Sequence, residues 1–333
     1  MYKDARFSRR PLSHVLDDID AFAAAVVSLK AGEGHVGGPY EPPVTEAALS
    51  AVWNWYADGM RSIFLQDADP LMMSADDLKA ILTRLLEYFP STQRITTYAR
   101  SRSLAKMSVD ELSTLRVAGL DRIHVGFESG SDTVLAFMDK GVSKATHVEA
   151  GRKVKAAGME LSAYYMPGLG GRETWQEHAL ETADLMNQVD PDFIRLRTLA
   201  VPEHVPLAAD VAAGAFIKAG DVENAREIVL FLESLTDIRS TVVSDHILNI
   251  SQDIRGKLPE DRVRMLGELL TFLDLDEHEQ VLYRIGRRRG MFAGTTDLGD
   301  PAARARAERF CRELGATPEN VDGITDELVK RFV

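Results

Sequence analysis

Ile123-His124-Val125-Gly126-Phe127-Glu128 is the stretch that decides the fold. Successive side chains of a strand point to opposite faces, so Ile123, Val125 and Phe127 make one apolar face. His124, Gly126 and Glu128 make the other, which is polar. Asp192-Phe193-Ile194-Arg195-Leu196-Arg197-Thr198 repeats the pattern, with Ile194 and Leu196 opposite Phe193, Arg195 and Arg197. A doubly wound parallel sheet is covered on both faces, and its strands read as near-continuous aliphatics. Strands with one polar face instead fit a barrel whose lumen holds a site, with reactive groups at the C-terminal strand ends.

Outward from these segments, strands and helices alternate. Strands are expected at 62–65, 93–99, 121–127, 159–166, 192–198 and 239–246. Between them the apolar spacing predicts helices over 45–58, 74–89, 108–118, 143–157, 173–187 and 221–235, preceded by a helix over 11–30 that Pro11 opens. Such alternation implies a parallel sheet with right-handed crossovers. Beyond about residue 258 only helical signals remain, at 259–273, 276–289 and 301–314. The expected organisation is therefore a partial barrel over 1–250 and a small helical region over 251–333.

Composition narrows the chemistry. With 45% hydrophobic and 27% charged residues, the 333-residue chain is ordinary globular material rather than disordered or fibrous. Lys+Arg 39 against Asp+Glu 51 leaves a net charge of −12, which disfavours a nucleic-acid partner held by phosphate contacts. The single cysteine, Cys311, excludes a disulfide framework, a Cys-rich zinc site and a complete iron–sulfur ligand set within these residues. No apolar run reaches the roughly 18–20 residues that span a bilayer. The opening MYKDARFSRR has no signal-peptide core. The expectation is a soluble cytoplasmic protein without a membrane partner.

The strand ends carry the candidate groups. Gln66-Asp67-Ala68-Asp69-Pro70 puts two carboxylates after the first strand, suited to a metal or a cationic amine but equally to turn and helix-start chemistry. Tyr98 and Arg100 close the second strand as candidates for an anionic or aromatic ligand. Glu128 and Ser129 close the third, where the serines and Asp132 would also cap the next helix. Tyr165-Met166-Pro167-Gly168-Leu169-Gly170-Gly171 is a glycine-rich loop whose amides allow close approach of a ligand, or serve plain turn geometry. Arg195 and Arg197 need carboxylate or ligand partners. Asp245 and His246 are either a proton-transfer pair or a surface turn.

Two other motifs lead nowhere. Gly32-Glu33-Gly34-His35-Val36-Gly37 spells G-x-G-x-x-G, but it follows a helix and runs into Pro39, Pro42 and Pro43, whereas a dinucleotide site needs a strand before it and a helix after it. Arg287-Arg288-Arg289 reads as positive charge at a helix C-terminus. Cys311 reads as a small helix-face residue.

Taken in order, these motifs have a family likeness. Ile123-His124-Val125-Gly126-Phe127-Glu128-Ser129-Gly130-Ser131-Asp132, with Val134, Leu135 and Met138, resembles the fourth-strand segment of radical S-adenosylmethionine (SAM) enzymes. The nearest look is the group of oxygen-independent coproporphyrinogen oxidases, methylthiotransferases and nitrogenase-cofactor-type proteins. Asp67-Ala68-Asp69-Pro70 stands where that family has Gly-Gly-Glu-Pro, without the glycines and with Asp for Glu. Ala150-Gly151-Arg152, the Pro167–Gly171 loop, Ile194–Leu199 and Ser244-Asp245-His246 follow in family order, so that the resemblance spans about residues 1–290.

The resemblance implies a partial (βα)6 TIM-like barrel, a 4Fe–4S cluster and S-adenosylmethionine, which the reduced cluster cleaves to a 5′-deoxyadenosyl radical. It places the SAM amino group at Asp69 beside Asp67, the ribose at Glu128 or Ser129, the carboxylate at Arg152 and the adenine near Met166 and Gly168. Arg100 joins this cofactor set, and Tyr98, Arg195, Arg197, Asp245 and His246 form a substrate set. An electron donor such as flavodoxin or ferredoxin and a small-molecule substrate are the implied partners. The family holds its cluster with C-x3-C-x2-C, which is not in this sequence, and the segment resembling Met1–Pro11 follows that motif directly in relatives. The expectation is a chain truncated at an internal Met1, lacking the first barrel strand, prone to aggregate, and inactive as written. The alternative is a cluster-free barrel that holds SAM or another nucleotide as a sensor or scaffold.

Overall fold

The chain is described by a computed structural model covering residues 10–30, 46–66 and 69–330. Its strands are β1 (Ser62–Leu65), β2 (Arg94–Ala99), β3 (Leu120–Glu128), β4 (Glu160–Tyr165), β5 (Phe193–Leu196), β6 (Thr241–Val243) and β7 (Gly256–Lys257). They form one seven-stranded sheet in sequence order. β1 pairs parallel with β2, β4 with β5 and β5 with β6, whereas β7 turns back antiparallel on β6. Parallel neighbours in sequence order need a crossover, and helices supply it.

The helices are α1 (Leu12–Lys30), α2 (Glu46–Ala57), α3 (Ala75–Tyr88), α4 (Ser101–Lys106), α5 (Val109–Val117), α6 (Asp132–Phe137) and α7 (Lys144–Ala156). They continue as α8 (Gly171–Val189), α9 (Leu207–Ala212), α10 (Asp221–Ser234), α11 (Arg262–Asp274), α12 (Glu277–Arg288), α13 (Pro301–Leu314) and α14 (Val321–Val329). None of the described helices is long and apolar enough to cross a membrane. The expected βα alternation and the parallel sheet are both present, with an all-helical end after β7. Four helices, α4, α6, α9 and α14, and the strand β7 are additions. Each spans nine residues or fewer, too short for an apolar period to stand out. The glycine loop at 32–37 and the segment 1–9 lie outside the described residues.

The chain divides into two compact units, one of residues 1–124 and 153–160 and the other of 125–152 and 161–333. In the first, Ser74 caps α3 by accepting from the Asp77 amide, and Leu78, Ile81, Leu82 and Leu85 bury its inner face. Ser108 and Glu111 start α5 with a reciprocal capping box. In the second unit the alternation of β5 is as its sequence implies, with Ile194 and Leu196 buried and Phe193 and Arg195 half-buried. On β3, Ile123, Val125 and Phe127 are buried while Gly126 is exposed. The helical end has its own apolar cluster, Val281 and Ile285 from α12 with Val321 and Leu328 from α14.

Candidate functional site

Two groups of strand-end side chains are the candidates, one in each unit. In the first unit, Asp69 starts a 3-10 turn (Pro70–Met72) just beyond β1. Its Oδ2 accepts from the Ser103 hydroxyl of α4 at 2.5 Å, and its Oδ1 is buried with no hydrogen bond. Burial raises the pKa of this carboxyl; Ser103 and the amide and charge of Arg100 pull against that without cancelling it. Arg100 itself is exposed. Beside them, Tyr98 of β2 packs edge-on against Phe64 of β1, ring centroids 4.6 Å apart, and both rings meet His124 of β3. The structure thus brings Asp69, Arg100 and Ser103 together. Asp67 lies outside the described residues.

In the second unit Glu128 ends β3 in a left-handed conformation, φ 64°, which a non-glycine residue adopts only when its surroundings hold it there. Its carbonyl accepts from the Met166 amide at 3.0 Å and lies 3.3 Å from His178 Nε2, while its carboxylate pairs with Lys140. Ser129 is fully buried, and its Oγ accepts from the Ser131 amide at 3.0 Å. The Gly130 amide donates to Thr182 Oγ1, and a Cβ at that position would stand 2.2 Å from the Glu181 carbonyl oxygen, so only glycine fits.

The glycine-rich loop after β4 is pinned from below. Glu227 of α10 accepts from the Tyr165 hydroxyl at 2.6 Å and from the Gly168 amide at 3.0 Å, and lies 2.9 Å from His178 Nδ1 of α8. Tyr165, His178 and Glu227 have no exposed surface. Burial, aided by the Glu227 charge, holds the Tyr165 phenol protonated far above its ordinary range. His178 ties the floor of the loop to the strained Glu128 carbonyl, and so fixes the ends of β3 and β4 to each other.

Arg195 of β5 and Arg197 just after it both donate to Asp245, two residues past β6, at 2.7 Å and 2.6 Å, and the Arg197 guanidinium lies over the Tyr164 ring. Burial would raise the Asp245 pKa, but the two guanidiniums overcome it and hold the carboxyl below its usual range. Asp245 is thus committed to two cations. His246 accepts from the Leu248 amide at 3.4 Å, and its pKa is lowered first by burial and then by Arg197. Arg152 is exposed on α7 and its Nε donates to the Gln188 carbonyl oxygen.

Sequence reasoning passed over Ser103, Lys140, His178 and Glu227. For Glu227 a signal existed. It falls on the apolar face of α10 with Asn224, Ile228 and Phe231, where an unpaired charge would be untenable. His178 sits similarly among Ala179, Thr182 and Ala183. For Ser103 and Lys140 no spacing rule points to the partner.

The cofactors that the sequence motifs imply fit these residues unequally. An ammonium group would suit the Asp69 carboxylate, whose second oxygen is buried and unmatched. Ribose hydroxyls would find the Ser129 hydroxyl enclosed and the Glu128 carboxylate shared with Lys140. A 4Fe–4S cluster does not fit. It needs several thiolates, and the one cysteine, Cys311, is on α13 with its pKa raised by burial.

Comparison with known proteins gives a match between residues 29–185 and the model of the radical SAM superfamily. No curated protein sequence matches the chain. Among solved structures, the archaeal Methanocaldococcus infernus Elp3 with an N-terminal deletion is similar over 59% of this chain and 50% of its own, at 14% identity and a TM-score of 0.46. Coproporphyrinogen III oxidase from Escherichia coli, described as a radical SAM enzyme, is similar over 84% of this chain and 54% of its own, at 12% identity and a TM-score of 0.40. A radical SAM methyltransferase from Kitasatospora setae, with tryptophan and a SAM analogue bound, is similar over 50% of this chain and 33% of its own, at 16% identity and a TM-score of 0.38. The chain spans about half the length of these structures or less.

Proposed function

We propose, from the match of residues 29–185 to the radical SAM superfamily, that this chain is the SAM-binding part of a radical SAM enzyme acting on a small molecule. The match implies SAM and a 4Fe–4S cluster as cofactors. The observation that carries the proposal is the family match over strand ends that include a buried, half-satisfied carboxylate at Asp69. Asp69 would hold the SAM ammonium group, and the loop that Glu227 and His178 pin at Gly168 would offer backbone to the adenine. The cluster thiolates would come from outside these 333 residues, because the chain has a single cysteine. Radical cleavage of SAM is then a property of the chain together with that thiolate source, and the electron would come from a small redox protein such as flavodoxin or ferredoxin.

The cysteine count favours a second reading as well, a barrel that binds SAM or another nucleotide without iron and acts as a sensor or scaffold. Supplying the chain with a C-x3-C-x2-C segment, followed by anaerobic reconstitution and a reductant, separates the two. 5′-Deoxyadenosine formation supports the enzyme; SAM bound but uncleaved supports the scaffold. If SAM titrated calorimetrically into the metal-free chain gives no binding, both readings fall.

A further inference from the structure

In the second unit, the half-buried face of β5 and the turn after β6 hold hydrogen-bond donors that the fold does not use. Arg195 gives only Nη1 to Asp245 Oδ2, and Arg197 gives only Nη1, shared between Asp245 Oδ1 and the Leu196 carbonyl oxygen. The Nη2 group of each guanidinium has no acceptor among the described residues and is not enclosed. The two side chains keep 20% and 26% of their surface exposed. His246 stands beside them. Its Nδ1 accepts from the Leu248 amide, and burial and then the Arg197 charge keep the ring neutral, so its proton sits on Nε2 as a third open donor.

Both guanidiniums converge on one carboxylate, so the cluster sets two positive charges against one negative. With His246 neutral, one negative charge is missing. A carboxylate supplies it, and its two oxygens match the planar edge of a guanidinium. A phosphate dianion would overshoot the charge and meet Asp245 at close range. The rest of the face is aromatic. Tyr164 is the register partner of Arg195 on β4 and lies under the Arg197 guanidinium. Phe193 precedes Arg195 by two residues and so shares its face. Both rings are half-buried and present apolar surface to the body of an organic acid.

We propose that Arg195, Arg197 and His246 bind the carboxylate of an organic acid substrate whose apolar body rests on Tyr164 and Phe193. That the acid is a substrate rests on the enzyme reading above; its binding is tested without iron and first without SAM. Calorimetry with the intact chain would use 3-phenylpropanoate, its neutral amide 3-phenylpropanamide, and inorganic phosphate, each alone and then with saturating SAM. 3-Phenylpropanoate is expected to bind more tightly than the amide or phosphate by about tenfold or more, and equally well with SAM present. Arg195→Lys and Arg197→Lys keep a cation for Asp245 but lose the planar edge, so each should weaken the acid by about tenfold at a nearly unchanged melting temperature. No heat with 3-phenylpropanoate, equal binding of the amide, tighter binding of phosphate, or full affinity in both lysine variants would overturn the proposal. So would competition by SAM, which would assign the cluster to the carboxylate of SAM itself. If SAM alone does not bind, the enzyme reading falls, and the SAM-free titrations still decide the site.

Discussion

Asp69 and Glu227 are both carboxylates removed from water, yet their surroundings assign them different work. Glu227 has three partners and serves the fold; Asp69 has one oxygen bonded and one left over. Asp69→Asn should therefore weaken SAM binding by about tenfold or more while leaving the melting temperature nearly unchanged, because it removes the negative charge and one of the two acceptor oxygens that an ammonium group would meet. Equilibrium dialysis with labelled SAM checks the first effect and a thermal melt the second. Glu227→Ala strips three donors of their acceptor and should cost about 3–5 kcal/mol, read by urea unfolding, with Glu227→Gln costing less.

Two further residues set the response to acid. His147, buried against Phe127, has its pKa lowered to about 4 by burial. The folded state prefers it neutral, so its contribution is complete above about pH 6.5 and drains away as the pH falls toward 4. Burial opposes ionisation of Asp221, but Arg288 and Arg284 override it and hold the pKa at about 2, so that this contribution is present above pH 3.8 and lost only toward pH 2. Thermal melts should thus fall between pH 6.5 and 4 and again below 4, and His147→Phe should flatten the first step if the ring is accommodated. None of these environments was legible in the sequence, where His147 is one polar residue within a helical pattern.

At the scale of elements the sequence was far more informative. The strands β1 to β6 and the longer helices announce themselves by alternation, caps and prolines, since those signals are local. The alternation that puts Arg195 and Arg197 on one side was legible too, but not that Asp245 answers both, because pairing between segments 50 residues apart leaves no spacing to read. α14 was missed for a similar reason. Its hold on the chain comes from Val321 and Leu328 against α12 and from Asp322 and Asp326 on Arg284 and Lys218. Leu328→Ala should cost about 2–4 kcal/mol by chemical unfolding, whereas raising the salt concentration should cost much less, because the carboxylates of both ion pairs are half-exposed and such pairs contribute little.

Over the whole molecule the decisive facts are a superfamily match across residues 29–185 and a cysteine count of one. The first speaks for a pocket that recognises SAM, and the second denies these residues the means to hold iron alone. The proposed function therefore predicts that nucleotide binding and cluster binding are separable in this protein. The most direct measurement is anaerobic incubation of the 333-residue chain with iron, sulfide and labelled SAM, followed by desalting and assay of both per chain. Stoichiometric SAM with negligible iron is the expected result. A brown protein that keeps a four-iron cluster on its own residues, or one that keeps no SAM, would contradict it.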